Sequence, residues 1–341
     1  MKTFLRMVLS VAAGLALLSL LMVWGGVSPR EVWHTLLSLP VWIFALCLAI
    51  HTTVYVLRAL RLLSLVPRSQ RPTFSAMLAV VAAHNLASYV LPAKSGEATL
   101  VIYLKGLCRV SGAAGLATLI VSRMYDFTVM CAMMSLATAG LVATSHWNAP
   151  RWIGLAGAAV LAAGSALFLV LGLRGEKLMG PLRLTLRGLR LDRTKLGRRL
   201  YELTQRASDA LRVARGGASI SGLLGTSALI WLGVFVFYAL LARGFGLPER
   251  IGLPEATFGF GLAVMSNILP VNAFAGFGTQ ESGWVLGFGI LGIPREQAFA
   301  TGLSVHLVQL FDVCIMGLLG HIAMGVLPRR AASPPPPADV G

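Results

Sequence analysis

Charged residues are scarce in this sequence, and the motifs of common soluble enzymes are absent. Asp, Glu, Lys and Arg make up 12% of the 341 residues, against 56% for hydrophobic residues. There is no Walker A, G-x-S-x-G, H-E-x-x-H or D-x-D glycosyltransferase motif, and the four cysteines form no C-x-x-C pair. We therefore expect neither an enzyme nor a bound metal or cofactor, and we expect the cysteines to pack as small hydrophobic residues.

The sequence also lacks the alternation of apolar and polar residues that a membrane β-barrel requires. It contains instead long uncharged runs, each able to cross a hydrocarbon core of about 30 Å, which takes about 20 helical residues. These runs predict an all-α, polytopic helical membrane protein. The net charge of +16 does not indicate a nucleic-acid partner, because most basic residues lie between the apolar runs, as the positive-inside rule describes.

Apolar runs predict about six full membrane spans, in a single integral domain that covers residues 1–330. The runs are Met7–Trp24, Val41–Leu57, Gly112–Thr144, Trp152–Leu173, Ile220–Leu241 and Ala298–Leu327. The first run resembles a signal peptide, but it is too long and no A-x-A site follows it. Residues 331–341 form a proline-rich tail that we expect to be disordered.

Basic residues set the orientation of these spans. Residues 174–215 form a polar loop with 12 Lys or Arg residues and 4 Asp or Glu residues. An arginine cluster follows the second span, at Arg58, Arg61, Arg68 and Arg71. Both regions should face the cytoplasm of a bacterial inner membrane, together with both chain termini. The basic loop is either a solvated loop or, around 195–212, an amphipathic helix on an anionic lipid surface.

Two other apolar segments break in their middle. The segment 73–107 stops at Leu91-Pro92, and the segment 258–293 breaks over residues 270–278. The second limb of the first segment is too short to cross the membrane comfortably, so we predict a re-entrant helical hairpin there and a second one in the segment 258–293. Their non-helical tips must lie buried in protein or beside a water-filled cavity.

The hairpins divide the chain into two repeats, about 41–144 and about 220–327. In each repeat, one span precedes the hairpin and one follows it. The first hairpin opens to the cytoplasm and the second to the outside, so the repeats have inverted topology. Two such broken segments in corresponding halves indicate a transporter with a site near the membrane midplane.

Ten residues in the repeats are candidates for substrate binding or for coupling. They are Asn85, Lys94, Gly96, Glu97, Arg123, Asp126, Asn267, Asn272, Glu281 and Asp312. Glu97 and Glu281 hold matching places, where they either serve transport or act as ordinary partners of a helix start. A charge at the membrane centre costs about 2.5–3.5 kcal/mol on insertion scales, which favours function. The asparagines bind head-group hydroxyls or, alternatively, backbone groups freed at the breaks.

Each hairpin tip should begin a helix near mid-membrane, with Ser95 and Thr279 as the N-cap residues. Lys94 precedes the first of these helix starts. A phosphate or carboxylate should therefore bind between the Lys94 ammonium group and the helix amides. The alternative is that Lys94 neutralises Glu97.

Three further polar residues lie on the predicted spans. Arg123 and Asp126 are three residues apart on one helix face and should pair, either as a structural pair or as part of the site. Asp312 has no cation within one helical turn, so it is a candidate proton carrier unless Arg123 reaches it across helices. We expect His51 and His84, single histidines on apolar helices, to be packed rather than ligating.

The first repeat carries the pattern N-x5-L-P-x-K-x-G-E, and an Ala-rich helix that ends in R-x-x-D follows. The residues of this pattern are Asn85, Leu91, Pro92, Lys94, Gly96, Glu97, Arg123 and Asp126, and the second repeat has Pro270, Gly276, Gly278 and Glu281. These motifs resemble the lysylphosphatidylglycerol synthase transmembrane family over about residues 5–327. The resemblance implies lipid translocation between leaflets, with aminoacylated phospholipid as the best-known cargo. No soluble aminoacyltransferase domain follows Arg330, so we expect no synthesis of aminoacyl lipid.

We expect the protein to transport or flip a lipid with an anionic or zwitterionic head group. Two alternatives stay open. One is an intramembrane enzyme that acts on lipid phosphate, with Glu97, Arg123 and Asp126 as its polar centre. The other is a non-catalytic partner that binds a lipid-modifying enzyme through the basic loop.

Overall fold

The computed structural model describes residues 28–144, 147–188, 219–266 and 274–328, together with isolated positions at 19, 23, 194, 197–198 and 202. Within these residues the chain forms ten α-helices and no β-strand, which confirms the predicted all-α class. The helices are α1 (Pro29–Leu37), α2 (Val41–Leu65), α3 (Phe74–Val90), α4 (Ala98–Cys108), α5 (Gly112–Ala143), α6 (Arg151–Gly188), α7 (Ile220–Gly244), α8 (Leu253–Ser266), α9 (Thr279–Ile290) and α10 (Arg295–Val326).

Five of these helices are long and apolar enough to cross a membrane. They are α2, α5, the first part of α6 (Arg151–Arg174), α7 and α10. They match five of the six predicted spans, and the chain is a multi-pass helical membrane protein. The remaining predicted span, Met7–Trp24, lies almost entirely outside the described residues, as do most of the basic loop and the tail 331–341.

Two helices run further than the sequence predicted. α2 continues 8 residues past Leu57, and α6 continues 15 residues past Leu173, into the predicted basic loop. Leucines surround the arginines in the segment 57–65, so this segment keeps an apolar helical character. Arg58 and Arg61 therefore lie within α2, and the prediction that the second span ends before them is wrong.

Hydroxyl side chains cap several helices, but not α4 and α9, the second limbs of the two hairpins. Thr73 and Ser111 accept hydrogen bonds from amides three residues on, at the starts of α3 and α5. The predicted caps Ser95 and Thr279 are wrong. Ser95 lies inside a 3₁₀ turn that runs to Glu97, and α9 has Gly278 as its N-cap, at a φ of 83° that favours glycine.

Each of the two hairpins packs against a span that is distant from it in the sequence. α3 and α4 form the first hairpin around the 3₁₀ turn Pro92–Glu97, and α8 and α9 form the second. α3 lies along α10, α8 lies along α5, and α2 packs against α7. The first hairpin thus contacts α10 near the end of the chain, and the second hairpin contacts α5 in its first half.

Glycines allow the limbs of each hairpin to approach closely. A Cβ atom at Gly287 of α9 would lie 2.7 Å from the Cα atom of Gly259 in α8. In the first hairpin, a Cβ atom at Gly96 would overlap the backbone of Ala87 in α3. This contact alone requires glycine at position 96, so hairpin packing is a sufficient reason for Gly96, and its role in substrate binding stays a prediction.

Candidate functional site

Asp126 of α5 is a buried carboxylate held by a buried arginine. Arg61 of α2 donates from Nη1 to Oδ1 of Asp126 at 2.6 Å and from Nη2 to Oδ2 at 3.0 Å. Arg61 Nη1 also donates to Ser227 Oγ at 2.7 Å, and Trp231 Nε1 donates to Asp126 Oδ1 at 3.2 Å. The predicted partner, Arg123, is present but more distant, at 3.5 Å. Through these hydrogen bonds, the Arg61–Asp126 pair connects α2, α5 and α7.

Arg123 of α5 binds Glu97 at the tip of the first hairpin. Arg123 Nη2 lies 2.7 Å from both carboxylate oxygens of Glu97, and Nε lies 3.1 Å from Oε2. These side chains are 41% and 31% exposed, so this pair is more accessible than that of Arg61. Lys94 is not needed to neutralise Glu97. Its backbone lies in the same turn, and its side chain lies outside the described part of the structure.

The second hairpin has an equivalent pair, which is fully enclosed. Glu281, in the first turn of α9, lies 2.5 Å from Nδ1 of His306 in α10, and both side chains are 0% exposed. Glu281 also accepts from the Gly278 amide at 2.6 Å. His306 Nε2 donates to the Ala275 carbonyl at 3.1 Å, so this nitrogen carries a proton. A further proton must lie between His306 Nδ1 and the Glu281 carboxylate, on one group or the other, because two acceptors cannot form a hydrogen bond. The candidates Asn267 and Asn272, on the same hairpin, lie outside the described residues.

The two hairpin pairs match in sequence spacing and in the helices that carry them. Glu97 and Arg123 are 26 residues apart, and Glu281 and His306 are 25 residues apart. In each case a glutamate near the start of the second limb contacts a basic residue on the span that follows. The correspondence between Glu97 and Glu281 therefore includes their basic partners. The spacing of the acidic residues in the sequence did not indicate these partners.

Asp312 of α10 contacts His51 of α2, so its partner comes from a helix 261 residues away in sequence. Asp312 is 2% exposed, and its Oδ1 atom has no hydrogen-bond partner in the part of the chain that the structure describes. His51 is buried and packed, as expected, but it also pairs with Asp312, and no contact between Arg123 and Asp312 is present among the described residues. His84 behaves as expected, because its contact with Thr99 at 2.9 Å holds the first hairpin together.

Arg58 of α2 has a neutral partner. Its Nη1 atom donates to Asn85 Oδ1 at 3.0 Å, and Asn85 Nδ2 donates in turn to the Tyr55 hydroxyl at 2.6 Å. Among the described residues, no carboxylate lies within ion-pair distance of Arg58. Asn85 thus connects two residues of α2 to α3, and it supports the orientation of Arg58.

Two adjoining cavities lie among these residues. The first, of about 40 Å³, is lined by charged and polar side chains that include Arg58, Arg61, Asn85, Arg123 and Asp126. The second, of about 150 Å³, is lined by residues that include His51, Arg58, Asn85, Tyr89, Trp231 and Tyr238. Both volumes are large enough to hold water. Arg58 and Asn85 belong to both linings and form the wall that the cavities share.

The second cavity contains polar atoms without partners. The hydroxyl oxygens of Tyr89 and Tyr238 are buried and have no hydrogen-bond partner among the described residues. Gln309 also lines this cavity and accepts from Gln280, the neighbour of Glu281, at 2.9 Å. Buried polar groups are nearly always satisfied, so these hydroxyls should meet water or a ligand.

An apolar groove of about 490 Å³ lies beside the cavities, between α2, α3 and α10. Its lining is almost wholly apolar and includes Ala79, Met316 and Leu319, together with Tyr55. Tyr55 therefore has its ring at the groove and its hydroxyl group on Asn85, at the wall of the cavities. The groove suits a hydrocarbon chain, whereas the cavities suit a polar group.

The family model described as the lysylphosphatidylglycerol synthase TM region matches residues 7–317. The chain belongs to this family. Comparisons with curated proteins and with solved structures gave no match. The matched range contains both hairpins and every residue that lines the two cavities. Membership of the lysylphosphatidylglycerol synthase TM family indicates a lipid-related function in the membrane, but it does not specify the activity.

Four residues of this family member's site were missed by sequence reasoning, namely His51, Arg58, Arg61 and His306. A signal for the first three was present. His51, Tyr55 and Arg58 are spaced by four and three residues, which places them on one face of a helix, and Arg61 continues this face. The positive-inside rule assigned the two arginines to a loop instead, because it counts charges near the ends of spans and does not consider their burial.

In the described residues, no group of His, Cys, Asp and Glu could hold a metal ion.

Proposed function

We propose that this protein moves a lipid with an anionic or zwitterionic head group between the leaflets of a bacterial inner membrane. The observation that carries this proposal is the pair of polar cavities inside the helix bundle, with an apolar groove beside them. A head group cannot cross the hydrocarbon core without a large loss of hydration. Interior cavities with arginine, asparagine and tyrosine side chains replace that hydration, while the groove accommodates an acyl chain.

The two hairpins are re-entrant in this proposal. Their limbs have 17 and 11 residues in the first hairpin and 14 and 12 in the second. At a rise of 1.5 Å per residue these limbs are about 17–26 Å long, shorter than a hydrocarbon core of about 30 Å. The turn between α3 and α4 packs against both of these limbs, and its Leu91 and Ser95 are exposed, so at membrane depth it must face a water-filled space.

The pattern of helix packing supports two inverted repeats. If α2 to α5 correspond to α7 to α10, the contact of α3 with α10 has its counterpart in that of α8 with α5. α2 and α7 correspond to each other, so their mutual contact is unchanged when the repeats are exchanged. The glutamate pairs of the two hairpins correspond as well. Such an exchange of partners is the arrangement on which alternating access is built, with the site between the repeats. Both chain termini are cytoplasmic in this arrangement.

The enzyme alternative has less support. Glu97 and Asp126, its proposed polar centre, are both paired with arginines. No nucleophile–base pair lies beside them in the linings of the two cavities.

A leaflet-exchange assay tests the proposal. Purified protein is reconstituted into liposomes that contain a fluorescent phosphatidylglycerol or phosphatidylethanolamine, and a membrane-impermeant quencher reports the lipid of the outer leaflet. We expect exchange with the wild type to exceed that of protein-free liposomes, and Asn85→Phe, which fills the shared wall, to reduce it. Exchange no faster than in protein-free liposomes for both lipids would contradict the proposal.

A further inference from the structure

Three guanidinium groups surround the first cavity, and they differ in their partners. Arg61 binds both carboxylate oxygens of Asp126, and Arg123 binds both carboxylate oxygens of Glu97. Among the described residues, Arg58 has only the neutral amide of Asn85 as a hydrogen-bond partner. Two carboxylates therefore face three guanidinium groups, and the remaining positive charge belongs to Arg58.

We infer that Arg58 binds the phosphate group of the transported lipid at the wall between the two cavities. The inference rests on the proposed function for the lipid nature of the ligand. A guanidinium group has five N–H donors, and the described contacts of Arg58 use only Nη1. The Nε and Nη2 atoms have no acceptor among the described residues, so two donors are available for parallel hydrogen bonds to phosphate oxygens. Asn85 is then a positioning residue, because it fixes the guanidinium group from the side away from the ligand.

The second cavity completes the site. Tyr89 and Tyr238 line the cavity that Arg58 adjoins, and their hydroxyl groups lack partners among the described residues. A phosphate ester offers several acceptor oxygens, so it can satisfy a tyrosine hydroxyl as well as the guanidinium group. Tyr55 links the same wall to the apolar groove between α2, α3 and α10. A phospholipid can therefore bind with its phosphate at Arg58 and one acyl chain in the groove.

Binding is tested by the thermal stabilisation of purified full-length protein, because a ligand of the folded state raises the melting temperature with its affinity. The probes are dioleoylphosphatidylglycerol, dioleoylglycerol with the same chains and no phosphate, and soluble glycerol 3-phosphate. We expect the first to stabilise the wild type and the second not to. Arg58→Gln, which keeps a hydrogen-bonding side chain, should weaken binding of dioleoylphosphatidylglycerol by about tenfold or more.

Two further variants keep the test decisive. Arg68→Gln removes the same charge from an exposed position just beyond α2, and it should bind as the wild type does. Arg58→Lys keeps the charge and serves where Arg58→Gln does not fold. It should still lose several-fold in affinity, because an ammonium group cannot form the two parallel hydrogen bonds.

The outcomes separate this inference from the proposed function. Equal binding by the wild type and both Arg58 variants, with leaflet exchange intact, would overturn the role of Arg58 and leave the transport function standing. Arg58-dependent binding without leaflet exchange would overturn the transport function and leave the phosphate site. Equal stabilisation by glycerol 3-phosphate alone would assign the site to a soluble phosphate ester and overturn the assignment to a lipid.

Discussion

Arg61 and Asp126 join α2 to α5 through two parallel hydrogen bonds, at 2.6 Å and 3.0 Å, and their side chains are only 4% and 10% exposed. In the interior, the charge of each group depends on the other. The loss of one partner would leave an uncompensated buried charge, whereas both together are neutral. This pair lies beside the wall formed by Arg58 and Asn85. We therefore expect it to support the proposed site rather than to bind the ligand itself.

The first prediction concerns the stability of this pair. We expect Asp126→Asn to lower the free energy of unfolding by about 3–5 kcal/mol, the usual cost of breaking a buried ion pair. The matched control is Glu97→Gln, which breaks an arginine pair that is 31–41% exposed and should cost about 1 kcal/mol or less. Denaturant unfolding in detergent micelles, followed by tryptophan fluorescence, measures both. Equal losses in the two variants would show that burial does not set the strength of these pairs.

Most helices and the breaks between the hairpin limbs could be predicted from the sequence. Apolar runs, a Leu-Pro break and charged helix ends are features of short segments and do not depend on tertiary packing. The sequence also placed Glu97 and Glu281 in matching positions. The ion pairs were not predictable in the same way. Each joins two helices that only the packing brings together, as with His51 and Asp312, and a spacing of three residues favoured Arg123 as the partner of Asp126. The tertiary structure supplied a better-oriented guanidinium group from α2.

The second prediction concerns orientation in the membrane. In a background without the four native cysteines, Glu249→Cys should react with an impermeant thiol reagent in intact cells, because the proposed topology places the loop between α7 and α8 outside. Thr194→Cys, in the basic loop, should react only after the inner membrane is permeabilised. Both native residues are exposed, so accessibility within the protein does not limit either reaction. Labelling of Thr194→Cys from outside would contradict the inverted repeats.

The third prediction concerns the close contact between the limbs of the second hairpin. In Gly287→Ala, the new Cβ atom would lie 2.7 Å from Gly259 Cα and 2.8 Å from Gly259 O, so α8 and α9 must separate. We expect a loss of about 1–3 kcal/mol, as for other overpacked sites.

Gly289→Ala is the matched control for this contact, since nothing lies within 4 Å of its Cβ position on the same helix. It should be neutral, or should stabilise the protein by about 0.5–1 kcal/mol through the better helix propensity of alanine. The measurement is again denaturant unfolding in micelles. A loss in Gly289→Ala as large as that in Gly287→Ala would rule out the contact with α8 as the cause.

The last prediction concerns the two hairpin glutamates in transport. If their pairs with Arg123 and His306 rearrange as lipid passes, Glu97→Gln and Glu281→Gln should each slow leaflet exchange at least tenfold, equivalent to about 1.4 kcal/mol in the barrier. If they only support a helix start, each substitution should cost about 1 kcal/mol or less in stability and leave exchange unchanged. The control is Glu255→Gln, because Glu255 is also buried and accepts from a local amide, that of Gly252 at 2.9 Å. Exchange at the wild-type rate in both hairpin variants would exclude the glutamates from the transport step, and slowed exchange in all three would point to a general loss of folded protein.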